Sequence, residues 1–165
     1  LCNTAGILDD YRPLHETSDE DWEQIFALNL TATMKITRFY LQKMLEKKSG
    51  IIINMCSIAS FLAGGGGAAY TASKHALAGL TKQIALDYAA QNIQVFGLAP
   101  GAVKTAMTAA DFEPDGLADW VAEKTPIKRW LDPQEVADVS LFLASGKATA
   151  MQGEIIKIDG GWSLK

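Results

Sequence analysis

The chain has 165 residues, 48% of them hydrophobic and 21% charged, which is enough for one domain with a sizeable core. Its net charge of -4 and its scattered Lys and Arg leave no basic face for a phosphate backbone, so a nucleic-acid partner is not expected. Apolar runs such as Ile51 to Ile53 are far shorter than the roughly 20 residues of a membrane-spanning helix, so no membrane partner is expected either.

The chain opens on Leu1-Cys2-Asn3 with neither an initiator Met nor signal-peptide architecture, and it is read as beginning inside a fold. Thr17-Ser18-Asp19-Glu20 supplies an N-cap with acidic residues behind it, which predicts a helix from Asp19. Trp22, Ile25, Phe26, Leu28, Leu30, Met34, Ile36, Phe39, Leu41 and Leu45 carry it at helical intervals to Lys48. The basic end, Lys47-Lys48, offsets the helix dipole, and Gly50 follows as the break.

Ile51 to Cys56 is a β-branched run without alternation, as in a parallel strand covered on both faces. A helix is predicted from Ala68 to Ala90 and a second buried strand from Ile93 to Leu98, stopped by Pro100-Gly101. Another helix should start after Asp132-Pro133, and a closing strand should run from Glu154 to Ile158. The alternation implies a single α/β domain over residues 1–165 with a doubly wound, Rossmann-like parallel sheet. Cys2 and Cys56, in no cysteine framework and at no compact zinc spacing from His15 and His75, read as buried thiols in a reducing cytoplasm.

Tyr70 and Lys74 stand one helical turn apart, so both can act on one substrate. A phenol is a poor base at neutral pH, but one ammonium at about 4 Å in an effective dielectric of 20 contributes roughly 4 kcal/mol towards ionising it. Ser57 follows the Ile51 strand, at the carboxyl edge where open α/β sheets bind ligands, and its hydroxyl can donate to a carbonyl oxygen. Gly64 to Gly67 reads as an active-site loop that lets Ser57 and Tyr70 converge, with phosphate binding as the alternative. His75 is expected to point off the Tyr70–Lys74 face.

Asn3-Thr4-Ala5-Gly6, Ser57, Tyr70-Thr71-Ala72-Ser73-Lys74, Ala99-Pro100-Gly101 and Asp159-Gly160-Gly161 follow one another as in the short-chain dehydrogenase/reductase family. The sequence resembles that family along essentially its whole length. The resemblance implies an NAD(P)-dependent oxidoreductase that needs no metal. In it, Tyr70 is the general acid/base and Lys74 lowers the phenol's pKa and holds the nicotinamide ribose. Ser57 polarises the carbonyl, and the backbone of Asn29 supports a proton path towards the lysine. Pro100, Gly101, Val103 and Thr105 match the segment at the nicotinamide end of the cofactor, NADP or NAD. Asn3, Ala5 and Gly6 match the one beside the adenosine ribose. Among relatives the sequence looks most like the 3-oxoacyl-[acyl-carrier-protein] reductases, which makes a 3-oxoacyl thioester a candidate substrate, although sugar, polyol and diketone reductases share the same features.

The family's glycine-rich turn between first strand and first helix has no counterpart here, nor has the residue that separates NAD from NADP. The sequence therefore matches the C-terminal two-thirds of the fold, and alone it is expected to bind cofactor poorly. A non-catalytic fragment acting only through assembly is the alternative. Thr4 and Phe96 also depart from the family pattern, where Asn is usual. Substrate selectivity is assigned to a lid, Ala106 to Trp130, carrying Phe112, Trp120 and Trp130, with aromatics that simply cap the core as the alternative. Ala76, Ala78, Gly79 and Ala85 suggest close helix packing between subunits, and the resemblance implies a homotetramer or homodimer.

Overall fold

Two β-branched runs form the centre of the sheet in the computed structural model, which describes residues 1–164. β2 (Gly50–Met55) and β3 (Ile93–Pro100) pair in parallel from Gly50↔Ile93 to Met55↔Leu98. β1 (Cys2–Asn3) lies outside β2 and β4 (Ile155–Ile158) outside β3, both parallel, so spatial order follows chain order. All four strands consequently present their carboxyl ends on one edge. β3 runs past the expected Leu98 because Pro100, which has no N–H to donate, still aligns with Ile158 while Gly101 N–H donates to the Ile158 carbonyl at 2.9 Å.

Side chains alternate along each strand, so Ile52 and Val95 face one way and Ile53 and Phe96 the other. On the first face, Leu41 of α2 (Thr33–Lys47) and Ile84 and Ala85 of α3 (Ala68–Tyr88) pack on Ile52, Ile93 and Val95. On the second, Val136 and Leu143 of a later helix, Pro133–Ala144, cover Ile53, Phe96 and Leu98. Helices on both faces of a parallel sheet give the expected α/β, Rossmann-like architecture.

The helix expected without interruption from Asp19 is α1 (Asp19–Phe26) joined to α2 by a π-helical turn, Ala27–Ala32. Ser18 caps it, its hydroxyl accepting from Asp21 N–H at 3.0 Å. A turn this short barely disturbs the 3.6-residue periodicity, which is why the hydrophobic pattern did not reveal it. The left-handed residue that closes α2 is Lys48 (φ 50) rather than Gly50. Between β3 and β4 lie α4 (Ala118–Lys124) and then α5 (Pro133–Ala144), whose start is a capping box of Asp132 and Glu135. Cys56 is buried as expected, but Cys2 is exposed because its strand forms the outer edge of the described sheet.

Candidate active site

The carboxyl edge of the sheet gathers Ser57, Tyr70 and Lys74. Ser57 immediately follows β2 and caps a short 3-10 turn, Ile58–Ser60, its hydroxyl oxygen accepting from Ala59 N–H at 3.1 Å. Tyr70 and Lys74 lie in the first turns of α3, buried to 7% and 4% exposure. The Ser57 hydroxyl lies near enough to the Tyr70 phenol to oppose the rise in its pKa. The Lys74 ammonium lies 5.5 Å from the centre of the Tyr70 ring and donates to the Met55 carbonyl at 2.8 Å.

Asn29 sits in the π-helical turn with no exposed surface. Its amide donates to the Ile7 carbonyl (3.0 Å) and to the Ser73 hydroxyl (3.2 Å), and its oxygen accepts from Ile7 N–H (2.8 Å). One side chain thereby ties the segment after β1 to α3. Gly6 completes this group: a Cβ there would stand 3.3 Å from Asn29 Oδ1 and 3.5 Å from Lys74 Nζ.

Asn3 stands apart, buried, with its amide donating inward to Thr37 Oγ1 (3.0 Å) and Asn54 Oδ1 (2.8 Å). Asn54 in turn donates to Thr81 Oγ1 at 2.9 Å, so a chain of polar side chains runs beneath the site from α2 to α3. Ala5 is exposed. Pro100 and Gly101 belong to the adjoining strand end, and Val103 is fixed by a parallel bridge to Leu131. Thr105 N–H donates to Thr108 Oγ1 at 3.0 Å at the start of a 3-10 helix, Ala106–Phe112. His75 is exposed, with Nδ1 2.9 Å from the Thr71 carbonyl.

Burial dominates the electrostatics. It pushes the Tyr70 phenol above its ordinary value; the Ser57 hydroxyl works the other way, and Tyr11, Asp9 and Cys56 add to the rise. The lowering that the resemblance assigns to Lys74 is not among the main influences on the phenol here, of which burial is the largest. Burial also lowers Lys74 to about 8, with Cys56 opposing, and it raises the Cys56 thiol.

Sequence reasoning missed several residues that build this site. Asp9 is buried, with Oδ1 accepting from Gly67 N–H (2.7 Å) and Oδ2 from Tyr70 N–H (2.8 Å). Ser60 donates to the Lys74 carbonyl and Ser73 to the Tyr70 carbonyl, both at 2.7 Å. Nothing local distinguishes Asp9 from its neighbour Asp10, the two adjacent acids that follow Ile7-Leu8. The glycine run offered an indirect signal, because a Cβ on Gly67 would come within 2.5 Å of the Arg12 carbonyl oxygen, and one on Gly66 within 2.4 Å of Tyr70 Cδ1.

Residues 1–163 match a family model described as enoyl-(acyl carrier protein) reductase. The chain belongs to the short-chain dehydrogenase/reductase family. Among its relatives in that family is the 5-keto-D-gluconate 5-reductase of Escherichia coli K12, 37% identical over 161 residues, covering 98% of this chain and 63% of the relative. The 3-oxoacyl-[acyl-carrier-protein] reductase of Aquifex aeolicus is 38% identical over 161 residues, covering 98% of this chain and 64% of the relative. A gluconate 5-dehydrogenase from Burkholderia cenocepacia, solved in complex with NADP and tartrate, superposes on the whole chain with a TM-score of 0.95 at 33% identity. The chain covers 64% of that structure, so it spans under two-thirds of the length of these family members.

Proposed function

We propose that this chain forms the catalytic side of an NAD(P)-dependent oxidoreductase that interconverts a carbonyl and an alcohol. The observation that carries the reading is the buried Ser57–Tyr70 hydroxyl pair with the Lys74 ammonium beside the phenol ring. Lys74 also provides a test of fit for the cofactor. An ammonium has three donors, and Lys74 donates to Met55 alone among the described residues, so it retains donors for ribose hydroxyls. Tyr70 and Lys74 would hold the nicotinamide ribose, Pro100, Gly101, Val103 and Thr105 the nicotinamide end, and Asn3, Ala5 and Gly6 the adenosine side. The fit at Asn3 is through its backbone, since its amide is committed inward. Bound NADP or NAD would supply or accept the hydride.

The chain's own residues handle the proton. Burial keeps the Tyr70 phenol protonated at neutral pH, which suits it to donate as a substrate carbonyl oxygen gains negative charge. Ser57 shares that oxygen and supports the developing charge. Asn29, its side chain anchored on Ile7 and Ser73, leaves its backbone in the irregular π-helical turn to support a water-linked path towards Lys74.

The lid over residues 106–130 is proposed to select the substrate. Phe112 packs on Trp130 with ring centres 4.8 Å apart, Trp120 meets Trp162 at 6.2 Å, and the Trp130 indole donates to the Ala118 carbonyl at 2.9 Å. A 3-oxoacyl thioester and a keto-sugar acid are the two substrate classes to try first, since the names of relatives point to both. A homodimer or homotetramer is proposed on the exposed Phe39 and Tyr40 of α2 and Leu86 of α3. Of the small residues first expected to serve that contact, Ala76 is half-buried. Ala78 and Ala85 are buried within this chain, and only Gly79 is open. The two free cysteines fit a cytoplasmic setting.

The deciding experiment follows NAD(P)H absorbance with a panel of carbonyl and alcohol substrates, using full-length protein, alongside nicotinamide fluorescence with the 165-residue chain. Turnover by the full-length protein and weaker cofactor binding by the chain alone are expected. No turnover of any carbonyl or alcohol would favour the non-catalytic alternative. Equal cofactor binding by the two would refute a requirement for the remainder of the fold. Sedimentation showing only monomers at micromolar concentration would overturn the proposed assembly.

A further inference from the structure

We propose that Asp9 is a positioning residue for Tyr70: its carboxylate supplies the missing N-terminal cap of α3 from a remote loop and fixes a negative charge beside the phenol. The first turn of a helix has N–H groups without intrahelical acceptors, normally met by a Ser, Thr, Asp or Asn at the N-cap. α3 has Gly67 there, with no side chain to offer. A side chain would not fit, since the Arg12 backbone runs against it and the Arg12 carbonyl accepts from Ala68 N–H at 3.1 Å.

The cap therefore arrives from the loop after β1. Asp10 (φ 53) and Tyr11 (φ 58) are consecutive left-handed residues, and Arg12 N–H closes the turn on the Asp9 carbonyl at 3.2 Å. Left-handed backbone is unfavourable at non-glycine residues, so such a turn persists where surrounding contacts hold it. Here Asp9 makes those contacts, with Gly67 N–H at 2.7 Å and with the amide of Tyr70 itself at 2.8 Å. The residue capped is thus the one whose phenol lies near Ser57.

Tyr70 is faced by Asp9 and Tyr11 from this loop, by Cys56 and Ser57 from the end of β2, and by Lys74 from its own helix. Asp9 itself borders a cavity of about 230 Å3 shared with Asp10, Arg12 and Asp21, and Tyr11 is influenced by Asp111. A carboxylate opposes loss of the phenol proton, adding to what burial already does. Asp9 thereby holds Tyr70 in its protonated form to higher pH and delays its action as a base.

The catalytic consequence rests on the reading of Tyr70 as the acid/base, but the link between Asp9 and Tyr70 does not. Its test is tyrosinate absorbance against pH in the full-length protein, with the Tyr70→Phe counterpart subtracted so that only Tyr70 is read. Asp9→Asn should move that midpoint down by about half a pH unit, the scale of one partly screened charge. Asp9→Glu, which keeps the charge, should return it most of the way. An unchanged midpoint in Asp9→Asn, or an equal change in both variants, would overturn the proposal. Should Asp9→Asn fail to fold, amide hydrogen exchange in the unaltered protein serves instead: the Gly67 and Tyr70 amides held by Asp9 should be strongly protected, and exchange as fast as in an open loop refutes the link. Where the Tyr70 midpoint moves but the pH–rate profile does not, the assignment of Tyr70 as acid/base is at fault rather than the role of Asp9.

Discussion

The two faces of the sheet are built from different materials. Under α5 the packing is apolar throughout, with Ile53, Phe96, Leu98, Val136 and Leu143 in contact and Phe96, Leu98 and Leu143 without exposed surface. Under α2 and α3 an apolar patch of Leu41, Ile52, Ile84 and Val95 gives way, towards the carboxyl edge, to hydrogen-bonded polar side chains. Asn3, Asn54 and Thr81 form one chain there, and Asn29 and Ser73 a second. Apolar packing tolerates substitutions that conserve volume, whereas a buried polar chain leaves a partner unsatisfied when any member is lost. The fold can therefore be anchored on one face while the other holds side chains to fixed positions for chemistry.

Substitutions on each face should separate these roles. The largest effect is expected at Tyr70→Phe, which should lower turnover about 100- to 10,000-fold in a substrate assay while leaving the thermal midpoint nearly unchanged. Unimpaired turnover would remove Tyr70 from the chemistry. Leu143→Ala, on the α5 face, should do the reverse, costing about 2–5 kcal/mol in urea denaturation with KM preserved in the protein that remains folded.

Lys74 gives a pH-dependent test. Its folded value of about 8 lies below the ordinary lysine value of 10.5, so the folded state holds less proton between those limits and stability rises with pH across that window. Lys74→Met should accordingly be more stable than the parent at pH 7, by at most about 3 kcal/mol, with the gap closing as the parent passes from pH 8 towards 10.5. Denaturation midpoints that run parallel over that range would contradict a desolvated ammonium.

Asn54→Leu should cost about 1–3 kcal/mol, because Asn3 loses an acceptor and Thr81 a donor in a buried setting. The loss should exceed that of Phe96→Leu in the same denaturation assay, and the opposite ranking would erase the contrast between the faces. His75→Gln is the control next to the site: on an exposed ring it should change stability by under about 0.5 kcal/mol and leave turnover intact.

Most of the architecture was legible in the amino-acid sequence because its signals are local. Unbroken β-branched runs marked β2 and β3, Ser18 and Asp132 marked helix starts, and the spacing of Tyr70 and Lys74 placed both on one helix face whatever surrounds them. The family motifs placed Ser57 beside them. The state of those groups was not legible, since desolvation depends on what the rest of the chain stacks over a side chain. Hence the burial that pushes the Tyr70 phenol up, and the hydrogen bonds from Asp9 in a distant loop to the start of α3, could be read only from the folded chain. The π-helical turn around Asn29 belongs with these, because it is held by Ile7 and Ser73, partners that come close only once the chain has folded. Periodicity and capping are properties of neighbours in sequence; burial, charge and remote hydrogen bonds are properties of neighbours in space.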